Sequence, residues 1–212
     1  MTRKFLLSAI LTVLLPLVAT AKGKENPDTI SARRAFVEMP GYVLDLLPKD
    51  TRLDMLDYFD ANTDYTATND LRGASRLKTL TPDFAEVEVT PSSTMQLKVL
   101  TRPGGSQVIL ANYITGAPGE TQDSRLYLFD SRMRPLPTAK LLKEPALEDF
   151  FDLKEMGMKK KELEKLVPYY TVVYDLSPDS GLMRARLTLD EILSLESKQL
   201  LNPHPLTLKP KL

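Results

Sequence analysis

An α+β protein, with helical segments packed on antiparallel β-meanders, is the fold class this sequence predicts. Apolar residues recur at helical spacing between Ser31 and Ala61, strict alternation takes over from Phe84 to Phe129, and both patterns return in the same order between Pro145 and Leu189. The order helix, meander, helix, hairpin also admits two repeated helix-then-meander units.

Ser31-Ala-Arg-Arg-Ala-Phe-Val-Glu38 begins with an N-cap residue type and is broken by Met39-Pro40-Gly41. Tyr42 to Leu47 then reads as a second short helical piece. Pro48-Lys-Asp-Thr51 is a helix start, and Leu53, Leu56 and Phe59, flanked by Met55, give Thr51 to Ala61 an amphipathic face. Ala85, Val87 and Val89 alternate with Glu86 and Glu88, and Met95, Leu97 and Val99 alternate with Gln96 and Lys98 across the turn Pro91-Ser-Ser-Thr94. Gln107 to Ile114 and Arg125 to Phe129 add two strands, and Arg76 to Leu80 can begin the meander. Beyond the proline-studded link Arg134-Pro-Leu-Pro137, helices are expected from Pro145 through Phe151 and from Met158 to Leu166. A hairpin follows, Tyr169 to Leu176 and Leu182 to Leu189, and then a last helix from Leu189 to Leu201.

The two halves share short matches. Leu80-Thr-Pro-Asp-Phe84 parallels Leu166-Val-Pro-Tyr-Tyr170, and Met95-Gln-Leu-Lys-Val99 parallels Met183-Arg-Ala-Arg-Leu187. A duplication would place these hairpins equivalently; the competing explanation is that Pro-x-aromatic simply begins strands in both places. The organisation read from the chain is a leader at 1–21, helices plus a meander at 22–137, and a smaller helix-plus-hairpin unit at 138–212.

The leader rests on Arg3 and Lys4, the apolar run Phe5 to Val18 interrupted by Pro16, and the small-x-small site Ala19-Thr-Ala21. That run is too short to span a bilayer, so the expectation is a cleaved signal peptide, a mature start at Lys22 and no stable membrane insertion afterwards. With no cysteine there is no lipid attachment point, disulfide, thiol nucleophile or thiolate metal site. The expected location is periplasmic or secreted. The 28 basic residues balance the 28 acidic ones, and losing Arg3 and Lys4 leaves a slight acidic excess, which points away from nucleic acid. Composition is that of a globular domain, with disorder expected only near Lys22 to Thr29 and at the proline-rich end.

Chemistry-bearing candidates are few. Asp60, Asn62 and Asp64 have the spacing of a calcium loop, but Tyr65 stands where the sharp turn needs glycine and Leu71 where a bidentate glutamate belongs, so a polar helix-ending loop is the reading. Asp50, Asp54, Asp57, Asp60 and Asp64 form a stripe expected to be solvated. Glu86 and Glu88 read as solvent-facing partners, with Lys98 available to them, rather than as an acid and base pair. His204, the single histidine, lies between two prolines in an extended tail. No nucleotide, phosphate, zinc or serine-hydrolase motif occurs, so no cofactor and no catalytic residue is assigned. For binding, Tyr127, Phe129, Tyr170 and Tyr174 are the candidates, because their strands are apolar on both faces. Such a strand is either central to stacked layers or turns one face to a partner.

The stretch from Met39-Pro40 through Leu44, Leu47 and Thr51-Arg-Leu-Asp-Met-Leu-Asp57, followed by Leu80-Thr-Pro-Asp-Phe84 and Leu126-Tyr-Leu-Phe-Asp130, resembles a family of exported proteins of unknown function from Bacteroidales-type bacteria. The resemblance implies an envelope or secreted setting and carries no catalytic residues. A non-enzymatic binding or inhibitor-like module for a protein or glycan of the cell envelope is the expected function. The alternative is a hydrolase using carboxylates on envelope or glycan material.

Overall fold

The computed structural model describes residues 29–189, 193 and 201–212, so the expected leader and nearly all of the expected last helix lie outside the described residues. The architecture is α+β in three layers. Helices α1 (Ala32–Glu38) and α2 (Lys49–Asp60) cover one face of a large sheet, and a small sheet with helix α3 (Lys160–Leu166) covers the other.

Ser31 caps α1 by accepting a hydrogen bond from the Arg34 N–H at 3.3 Å, and Met39-Pro40 ends it. Residues 41–47 form consecutive turns anchored on the Pro40 carbonyl rather than the short helix expected there. The buried face of α2 is also rotated from the expected one. Arg52, Met55 and Leu56 point inward while Leu53 is exposed, because Arg52 is drawn in to bond the Phe36 and Met39 carbonyls at 3.0 and 2.7 Å. Those carbonyls lie at the end of α1, where a helix leaves acceptors unpaired.

The large sheet is a pure antiparallel meander in chain order: β1 (Ala67–Thr68), β2 (Ala74–Leu80), β3 (Phe84–Thr90), β4 (Ser93–Thr101), β5 (Gln107–Thr115), β6 (Asp123–Asp130) and β7 (Pro135–Leu136). The small sheet runs β10 (Leu206–Leu208), β9 (Met183–Leu189), β8 (Tyr170–Leu176), all antiparallel. The proline-rich end is therefore ordered: β10 pairs with β9, and the Lys211 N–H bonds the Leu141 carbonyl at 2.7 Å. Beyond β7 the expected helix at Pro145 to Phe151 is a single 3₁₀ turn, Leu147–Phe150.

Strand alternation splits the core in two. Val87, Met95, Leu97, Ile109, Ala111 and Phe129 pack under the helices, while Phe84, Leu100, Val108, Leu110 and Leu128 meet Phe150, Leu163, Tyr174, Met183 and Ala185 on the opposite face. Both hairpins singled out as a duplication turn their apolar sets to a core. Their loops differ, however, with two residues joining β3 to β4 and six joining β8 to β9, and Gln96 and Lys98 are buried whereas Arg184 is exposed. Among the described residues no helix is long and apolar enough to cross a membrane.

Candidate binding site

Two clefts share the end of β6 nearest Asp123. Along its inner edge β6 pairs with β5 over its full length, from Asp130 opposite Val108 to Asp123 opposite Thr115. Along its outer edge it pairs with β7 at Leu128 and Phe129 alone. Past Leu136 the chain leaves the ladder and turns into a 3₁₀ helix at Thr138–Lys140, so no residue is left opposite Leu126 in extended conformation. The outer edge from Asp123 to Tyr127 is thus left without a strand neighbour among the described residues.

A cleft opens on each face of this edge. Towards the small sheet a cleft of about 630 Å³ has Leu126, Leu142 and Tyr174 among its walls, with Lys143 and Glu144 also lining it. Burial first, and then the nearby Glu144 carboxylate, push the Tyr174 phenol up to about 12, so its hydroxyl stays protonated. Towards the helices a cleft of about 450 Å³ is lined by Tyr42, Tyr113 and Tyr127 with Asp45, Asp123 and Arg125. The Tyr42 and Tyr127 rings lie 6.3 Å apart at 57°, and Tyr42 is 62% exposed.

The four aromatic candidates do not share one surface. Tyr127 lines the helix-side cleft and Tyr174 the opposite one, whereas Tyr170 sits with Tyr169 and Pro168 in a third hollow of about 380 Å³. Phe129 is fully buried beneath the helices and is a core residue, because both faces of the large sheet are covered there. Tyr42, Asp45 and Glu144 escaped sequence reasoning. Tyr42 and Asp45 lie in consecutive turns and Glu144 in irregular backbone, so no strand or helix period marks their side chains as sharing a surface.

Asp60, Asn62 and Asp64 are not brought together as ligands. Both Asp60 carboxylate oxygens accept from Arg33, at 2.9 and 2.5 Å, and that bonding holds Asp60 below the usual carboxylate range. Asp64 faces Arg76 at 3.7 Å, and Asn62 takes a left-handed φ of 51° at the helix end. Among the described residues no group of three His, Asp or Glu is arranged to hold a metal ion.

Glu88 pairs with Lys78, and Glu86 accepts from Gln96. Lys98, expected beside them, turns instead to Asp83 and the Pro178 carbonyl, at 2.8 and 2.7 Å. His204 is exposed, and its backbone N–H bonds the Phe150 carbonyl at 2.9 Å.

A family model described as "Protein of unknown function (DUF3256)" matches residues 28–211. Among solved structures, a domain of an uncharacterized protein from Porphyromonas gingivalis W83 is similar in fold, with a TM-score of 0.66 and 23% identity, covering 82% of this chain and 91% of that one. No curated protein matches the chain.

Proposed function

Since the chain belongs to the DUF3256 family of proteins of unknown function, which lends it no activity, we propose from its own residues that it is an exported, non-enzymatic binding module of the cell envelope. It engages a protein or glycan partner through the clefts flanking β6. The observation that carries this reading is the exposed Tyr42 ring beside Tyr127, both lining a cleft along a strand edge that has no strand neighbour among the described residues. Tyrosine combines a large apolar face with a polar tip and suits a wet, selective contact. Balanced charge argues against nucleic acid as the partner.

The hydrolase reading retains one favourable observation, that Asp123 and Glu144 line the same cleft. Against it, the four carboxylates with a shifted pKa, Asp60, Asp83, Asp130 and Glu148, all have it lowered, and none of them lines that cleft. A general acid needs the opposite shift.

In the native host, the protein recovered from envelope or medium should have an intact mass beginning near Lys22, and full-length protein in the cytoplasm would overturn the export half. The purified protein should retain an envelope component that the double variant Tyr42→Ala, Tyr127→Ala does not. Turnover of peptidoglycan or polysaccharide, abolished by Glu144→Gln, would replace the binding reading with the enzymatic one.

A further inference from the structure

Resting on the binding reading, we propose that the partner is a protein bound by strand addition. An extended segment pairs along the outer edge of β6 from Asp123 to Tyr127, with apolar side chains entering the small-sheet cleft and a basic side chain entering the helix-side cleft.

Three observations converge on this. First, the edge has its hydrogen-bonding groups aimed outward. The Asp130 N–H bonds the Arg134 carbonyl across the β6–β7 hairpin, so by strand alternation the main-chain groups of Leu128, Leu126 and Ser124 face the outer side. The Ser124 N–H is taken by the Asp123 carboxylate at 2.8 Å, which among the described residues leaves the Leu126 N–H and the Ser124 and Leu126 carbonyls for a partner strand. Second, the two clefts lie on opposite faces of that single edge and both include Asp123, Ser124 and Arg125. Successive side chains of an added strand point to opposite faces, so its period of two would deliver alternate residues to the two clefts.

Third, the clefts differ in chemistry. Leu126, Leu142 and Tyr174 suit a branched aliphatic side chain. On the other face Asp45 and Asp123 outnumber Arg125, and three tyrosine rings stand beside them, a setting for Lys or Arg through ion pairing and cation–π contact. The occupant is therefore an extended segment in which apolar and basic residues alternate. A glycan has no row of amides to match the edge.

The probe is a fluorescein-labelled synthetic peptide, Thr-Val-Arg-Val-Lys-Val-Thr, titrated against the full chain by fluorescence anisotropy. Saturable binding is expected, with roughly tenfold weaker binding for a scrambled peptide and for one N-methylated on its edge-facing amides, about the loss of one ordinary hydrogen bond. Leu126→Pro removes the outward donor while sparing the β5 ladder and should weaken binding similarly, its fold checked by circular dichroism. If that variant does not fold, the N-methylated peptide decides. Equal binding of native and N-methylated peptides, no binding of either, or self-association of the chain through this edge in sedimentation equilibrium would each overturn the proposal. Loss of envelope capture on Tyr42→Ala with no effect of Leu126→Pro would overturn strand addition while leaving the binding reading standing.

Discussion

Lys98 lies between the two sheets with 5% of its surface exposed, and its ammonium group reaches the Asp83 carboxylate and the Pro178 carbonyl together. A buried cation is tolerable only when paired and hydrogen-bonded, so this residue ties the β8–β9 loop to the large sheet. Partial burial pulls the Asp83 pKa upward, but hydrogen bonds from Lys98 and Thr81 outweigh it and the net direction is down. A carboxylate depressed in the folded state stabilises above its unfolded pKa, and the contribution fades as pH falls through the ordinary carboxylate range near about pH 4 and on through the lower folded value. Urea midpoints measured across that window should drop less for Asp83→Asn than for the unaltered chain; parallel curves would remove Asp83 from the account. The same residues show what a sequence hides. Lys98 and Gln96 alternate with Leu97 as solvent-facing residues do, and Asp60 finds its partner Arg33 27 positions away, where no local pattern points. Alternation places Tyr127 on a strand, whereas the position of Tyr42 beside it depends on how the turns at 41–47 pack against β6, which no local pattern carries.

Between elements, the edge of β8 docks on the face of the large sheet through a row of side chains from β4, β5 and β6. The Asn112 side-chain amide donates to the Tyr174 carbonyl at 2.5 Å, the Gln96 side-chain carbonyl accepts from the Leu176 N–H at 2.9 Å, and the Ser124 hydroxyl accepts from the Tyr174 N–H at 2.8 Å. The row stands in for the strand neighbour that β8 lacks on this side and covers an edge that would otherwise be open. Asn112→Ala should cost about 1–3 kcal/mol, since it orphans a buried carbonyl. Gln96→Ala should cost a similar amount, and the pair should be non-additive because Asn112 also bonds Gln96. Chemical denaturation measures both, and hydrogen exchange should show lost protection at Tyr174 and Leu176; unchanged protection there would contradict the docking role. Most long elements were readable from period and punctuation, with β3, β4 and both strands of the β8–β9 hairpin within about a residue or two. The two-residue strands β1 and β7 carry too few residues to show a period, and β10 sits among prolines, so pairing alone creates them.

At the scale of the whole molecule, the meander is the middle layer of both cores, so the helices and the small sheet depend on a common wall. Calorimetry should give one transition whose calorimetric and van't Hoff enthalpies agree, and two resolved transitions would show independent units. The wall is built from neighbouring hairpins, whereas the bonds that seat β8 on it at Tyr174 and Leu176 span 50 to 80 positions of sequence. Hairpins close in microseconds, and contacts so distant must wait for the later chain to be made and to find its place. Until then Leu100, Val108, Leu110 and Leu128 form an uncovered apolar stripe. Newly made chains are thus most prone to clump during the interval after the seventh strand and before the eighth, and a holding chaperone would have its natural target on that stripe.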